Sequence, residues 1–139
     1  MLAIDGQEEA IDRLLRWPGL PSRERLETRV ARFDDASWPE AELVNSSYAL
    51  PFCPPESFPG LWRRIESSLR SGGRFSGHLF GERDGWSDRR DMTFHTRAEV
   101  ESLLERFEVE RLDELEEDGK TAVGTPKHWH LFDVVARKT

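Results

Sequence analysis

From its first residues this chain alternates short apolar runs of strand length with segments of helical spacing, and it closes on two strand-like segments with no helix between them. Leu2, Ala3 and Ile4 form an apolar run stopped by Asp5-Gly6, the signature of a buried strand ending at a turn. Ile11, Leu14 and Leu15 follow at helical spacing, and that helix should end before Pro18-Gly19. Residues 26–33 then alternate. Leu26, Thr28, Val30 and Arg32 face one way, and Glu27, Arg29, Ala31 and Phe33 the other, ahead of the turn-prone Asp34-Asp35. A further apolar segment over 42–50 is broken by Pro51 and by Pro54-Pro55.

The second half carries stronger signals. Phe58, Leu61, Trp62, Ile65 and Leu69 form one continuous helical stripe, which Ser71-Gly72-Gly73 ends because glycine tolerates the left-handed cap conformation. Arg74 to Phe80 reads as a strand in which Gly77 and Gly81 clear space for a ligand. Residues 82–92 read as a polar loop. Thr96 and Glu99 make a capping box for a helix lined by Val100, Leu103, Leu104 and Phe107. Strands are expected over 107–115 and 128–137, joined by a long loop through Asp118-Gly119 and Gly124-Thr125-Pro126. With no helix between them they should pair antiparallel.

This order predicts an α/β fold, one domain over 1–139, with a mostly parallel sheet, helices on both faces and a C-terminal antiparallel hairpin. Ligands of such sheets sit beyond the carboxyl ends of the strands. Attention therefore falls on Asp5, on Phe33-Asp34, on Asn45 to Phe52 and on the loop after Phe80.

Composition narrows the function classes. Hydrophobic residues at 37% and charged residues at 34% describe a globular chain. No apolar run approaches the roughly 20 residues of a membrane helix. Residues 1–10 lack the basic start and apolar stretch of a signal peptide, and the single Cys53 suits a reducing compartment. A cytoplasmic location is expected. The net charge of -7 argues against nucleic acid and favours a small substrate.

The sequence of features resembles the later strands of class I S-adenosylmethionine-dependent methyltransferases, Rossmann-like domains ending in an antiparallel hairpin. The resemblance runs from Leu2 to Lys138 and rests on Leu2-Ala3-Ile4-Asp5, on Phe33-Asp34, on Asn45-Ser46-Ser47-Tyr48 and on Leu69-Arg70-Ser71-Gly72-Gly73-Arg74-Phe75, where Ser71 replaces a usual proline. Met92 to Thr96 also looks like the family's entry into its next helix. It implies S-adenosylmethionine as cofactor. Asp5, with Gly6, would hold the ribose hydroxyls; Asp34 would lie near the adenine amino group with Phe33 beside the ring. Asn45 and Ser46 would approach the methionine part.

Tyr48 and Phe52 are implied as substrate contacts, with core or loop anchors as the alternative. Trp86 would belong to a lid, and His95 and His128 would line the pocket or bond locally. His128 and His130 share one strand face, but a metal needs further ligands, so no metal is expected. Cys53 reads as a packed residue.

The family's first strand and glycine-rich loop have no counterpart: Met1 opens into what should be the second strand, and no Gly-x-Gly-x-Gly occurs. An N-terminally truncated domain is the expectation. Without the central strand two sheet edges lose a partner. They would close on each other, take a strand from another chain as in a homodimer, or be filled by an upstream segment. The reaction implied is methyl transfer to a small-molecule acceptor. Asn45-Ser46-Ser47-Tyr48 lacks both prolines of the motif in DNA amino-methyltransferases, which argues against that acceptor. The competing classes are a non-catalytic remnant or dimeric binding module, and a doubly wound enzyme of NAD type with Asp5 on the ribose.

Overall fold

In the computed structural model, which describes residues 1–139, the chain divides into two units, Met1–Pro39 and Glu40–Thr139. In the first, β1 (Leu2–Asp5) and β2 (Glu27–Val30) form a two-stranded parallel sheet, connected through α1 (Glu8–Arg16). Glu8 and Glu9 in the first turn of α1 and Arg13 and Arg16 in the last complement the helix dipole. The helix stops at Trp17, which Pro18 holds in extended backbone. The strand expected over 26–33 is only four residues long. Beyond it the chain turns, with the amides of Asp35 and Ala36 both donating to the Arg32 carbonyl.

The second unit contains β3 (Ala41–Ser46), a short 3-10 turn over Leu50–Phe52, α2 (Phe58–Ser68), β4 (Leu69–Gly81), β5 (Phe94–His95), α3 (Arg97–Leu103), β6 (Phe107–Lys120) and β7 (Pro126–Lys138). The sheet order is β3-β4-β7-β6, with β5 pairing the end of β4. β3 and β5 run parallel to β4, whereas β4–β7 and β6–β7 are antiparallel. This corrects the expectation of a mostly parallel sheet. The reason is strand length: β4, β6 and β7 have 13, 14 and 13 residues, against six for β3 and two for β5.

The long loop expected in the hairpin is also a tight turn. Thr121 donates to the Thr125 carbonyl and Gly124 to that of Thr121, with Gly124 at φ 84°. Pairing therefore continues from Phe107–Lys138 down to Lys120–Pro126.

Strand alternation gives the sheet two unlike faces. Phe75 and Leu79 of β4 and Phe132, Val134 and Ala136 of β7 share one face and are all 0–1% exposed. The stripe of α2 packs there: Trp62 meets Phe75 edge-on at 5.0 Å and donates its indole N–H to the Leu103 carbonyl of α3. Within this unit both helices thus lie on one face, not one on each. The capping box forms as expected, Glu99 N–H donating to Thr96 Oγ1 and Thr96 N–H to the Glu99 carboxylate.

Helix α2 ends at Ser68, and Arg70-Ser71-Gly72-Gly73 bulges out between the pairs Ala41–Leu69 and Leu43–Arg74. Gly72 has φ 79°, and a Cβ on Gly73 would stand 2.9 Å from the Arg70 carbonyl. Both glycines are required by the backbone. Gly77 and Gly81, expected to make room for a ligand, make room for the protein itself. A Cβ at Gly77 would lie 2.6 Å from the Ser46 carbonyl, and one at Gly81 would collide with the His130 ring. That ring is fully used. Its Nδ1 accepts from Arg83 N–H, and its Nε2 lies 2.8 Å from a Glu114 carboxylate oxygen and 3.3 Å from the Arg83 guanidinium.

Candidate functional site

In the first unit the parallel pairing sets the carboxyl ends of β1 and β2 side by side, and Ala31 N–H donates to the Asp5 carbonyl. Asp5 and Gly6 are exposed. One Asp5 carboxylate oxygen accepts the Gln7 N–H at 2.8 Å, which fixes the side chain while leaving it open to solvent. A carboxylate so oriented accepts paired hydroxyls well. Phe33 is half-buried and Asp34 exposed, both in the turn after β2.

In the second unit, β3 ends in exposed Asn45 and half-buried Ser46. Tyr48 follows with φ 55°, a left-handed conformation that costs a non-glycine residue about 1–3 kcal/mol. Its ring stacks on His78 at 4.1 Å and meets Trp129 edge-on at 6.4 Å. Phe52 stands 6.4 Å from Phe80 and 6.2 Å from Trp86, and Trp129 lies 5.8 Å and 6.0 Å from the same two rings. Three predicted residues, Tyr48, Phe52 and Trp86, are thus gathered into one aromatic cluster at the carboxyl ends of β3 and β4. It lies on the sheet face opposite the helices, beside the packed Met92 and Leu131.

Beneath these rings lies a buried ion pair. Lys127 Nζ donates to both Asp84 oxygens at 2.6 and 2.7 Å, with the side chains 1% and 0% exposed. Asp84 also accepts the N–H groups of Trp86 and His130, so its charge is fully hydrogen-bonded. The same ammonium stands 3.6 Å from the Trp129 ring centroid, 4.4 Å from Trp86 and 4.9 Å from Phe80. It pins the loop after β4 to β7. The signal for Lys127 and Trp129 was their i, i+2 spacing, which puts both on one strand face; the expected strand began one residue too late to include Lys127. Asp84 gave no signal of its own.

The two predicted histidines lie elsewhere. His95 is buried on the helix face, its ring 4.8 Å from that of Phe58, and burial lowers its pKa. His128 alternates to the side away from Trp129 and pairs with Asp118 at 2.7 Å and Glu116 at 3.1 Å, which raise its pKa. Arg83 and then His128 bring Glu116 down to about 2. A separate hollow of about 420 Å³ lies at the other end of β7, between Arg63, Arg106 and Lys138.

No family model and no curated protein sequence matches this chain. Solved structures do. TehB from Haemophilus influenzae superposes with a TM-score of 0.81 at 14% identity, over 99% of this chain and 49% of its own. A Methanosarcina mazei S-adenosylmethionine-dependent methyltransferase gives 0.69 at 18% identity, over 99% and 81%. The Burkholderia thailandensis 1,6-didemethyltoxoflavin-N1-methyltransferase, solved with its substrate and S-adenosylhomocysteine, gives 0.63 at 21% identity, over 99% and 60%. The chain has the fold of part of these proteins and spans about half the length of TehB. No helix is long and apolar enough to cross a membrane.

Proposed function

We propose that this chain serves S-adenosylmethionine-dependent methyl transfer to a small-molecule acceptor. The observation that carries the reading is the aromatic cluster of Tyr48, Phe52, Trp86 and Trp129, which stands beyond the carboxyl ends of β3 and β4 in a fold shared with such enzymes. Asp5, Gly6, Phe33 and Asp34 are the cofactor contacts assigned to the first unit, and Asn45 and Ser46 those of the second. The exposed, oriented Asp5 carboxylate fits a ribose. When bound, the sulfonium cofactor supplies an activated methyl group. The chain's own work is to hold an acceptor against the rings and exclude water from it.

Calorimetric titration with S-adenosylhomocysteine, with NAD as the control, tests this. Binding near micromolar, weakened at least tenfold by Asp5→Ala, is the expected result; preference for NAD would assign the ribose carboxylate to a dinucleotide enzyme instead. The unpaired edge of β3 favours a second reading, a binding module that dimerises through that strand. Its mark is a concentration-dependent dimer that ignores both ligands.

A further inference from the structure

Two of the clustered rings are strongly solvent-exposed, Tyr48 at 48% and Phe52 at 43%, and Tyr48 is held there in a left-handed backbone conformation. Grouped exposed aromatics of this kind mark a binding surface. Aromatic faces attract cations, and an open cage of indoles would ordinarily be read as a site for a quaternary ammonium. Here the cage is already filled. Lys127 Nζ lies against Trp129, Trp86 and Phe80, and the Arg89 guanidinium stands 5.8 Å from the Trp86 centroid.

The negative charge nearest the rings is committed too. Asp84 gives its oxygens to Lys127 and to two backbone N–H groups, and Asp91 is paired with Arg89. Glu117, in register with Trp129 on β6, is exposed and therefore screened by salt. A second cation stacked on these indoles would meet the ammonium end of the Lys127–Asp84 pair behind them, already occupying their π-faces, whereas an uncharged ring stacks or packs edge-on without that opposition.

On the reading of this cluster as the acceptor subsite, we infer that it takes a flat, uncharged aromatic or heteroaromatic ring and rejects a cationic one, with Lys127 as the residue that sets this preference.

Quinoline and N-methylquinolinium at pH 7.5 are near-isosteric probes of the two cases. The full chain is titrated with each while the tryptophan indole N–H signals are followed by NMR. Quinoline is expected to shift those of Trp86 and Trp129 and leave Trp62, whose N–H is bonded on the helix face. N-methylquinolinium should bind at least tenfold more weakly. Equal or tighter binding of the cation, or no shift of Trp86 and Trp129 by quinoline, overturns the inference.

The wild-type ranking needs no variant. In addition, Tyr48→Ala should weaken quinoline at least fivefold, and Lys127→Met combined with Asp84→Asn should reduce the preference to less than threefold. A double variant that folds and keeps the full preference removes Lys127 from the explanation. Titration of the same sample with S-adenosylhomocysteine separates the two proposals. Quinoline bound at these tryptophans without S-adenosylhomocysteine leaves a ring site and removes methyl transfer. S-adenosylhomocysteine without quinoline removes the ring site alone.

Discussion

The two faces of the β4–β7 sheet come from alternate residues of the same strands, yet they are built differently. On the helix side, Phe75, Leu79, Phe132 and Val134 are shut in under α2, and Trp62 joins that helix both to β4 and to the last turn of α3. On the other side, buried Phe80 and partly buried Trp86 and Trp129 surround a charged pair with almost no exposed surface. Apolar packing predominates on the face that α2 and α3 cover. On the face that neither covers, an ammonium and a carboxylate add a directional bond to the packing of Phe80, Met92 and Leu131 and hold the adjoining loop in place.

That contrast predicts unequal responses to truncation. Phe132→Ala should lower the unfolding free energy by about 3–5 kcal/mol, because a fully buried ring leaves a cavity. Tyr48→Ala, on the open face, should stay within about 1 kcal/mol, since only stacking on a half-exposed ring is lost and alanine, which keeps a Cβ, leaves the strain at φ 55° unchanged. Urea denaturation of both variants checks this, and comparable losses would erase the distinction between the faces.

A smaller and more specific effect concerns the ion pair. Lys127→Met alone strands Asp84 without its counterion and should cost about 3 kcal/mol; joined with Asp84→Asn, the combined loss should fall short of the sum of the two single losses. A double-mutant cycle by the same denaturation measures it. Additive losses would mean that Lys127 and Asp84 act independently.

The smallest effect is a pH dependence in which two histidines act in opposite directions. The Asp118 and Glu116 hydrogen bonds raise the His128 pKa, so its contribution to stability is fully present below the ordinary 6.5 and is lost as pH rises through the folded value. Burial lowers that of His95, whose contribution is present above 6.5 and lost as pH falls through its folded value. NMR titration of the ring protons should place the two midpoints on opposite sides of 6.5, His128 above and His95 below.

Much of this fold was legible from local pattern. The stripe Phe58-Leu61-Trp62-Ile65 and the Thr96–Glu99 box state their helices outright, because both signals lie within a few residues of one another. β6 was only half visible. From Asp113 to Asp118 it is almost wholly acidic and reads as surface, and it is a strand because β7 supplies the pairing, with Arg74–Glu110 and Arg137–Glu108 bridging between strands. The site divides in the same way. Tyr48, Phe52 and Trp86 could be named from their places after strands, whereas Asp84 and Lys127 are 43 residues apart and share no periodicity. A pairing that exists only after β4 and β7 have come together leaves no trace in a window of sequence.

The fit of His130 into the space above Gly81 has a consequence for how such a sequence can change. Any side chain at 81 evicts the imidazole, and removing the imidazole leaves the Arg83 N–H without its acceptor and takes from Glu114 the shortest of its contacts. Neither position can drift by single steps without loss, so among descendants of this chain the two should be inherited as one character, replaced together or kept together.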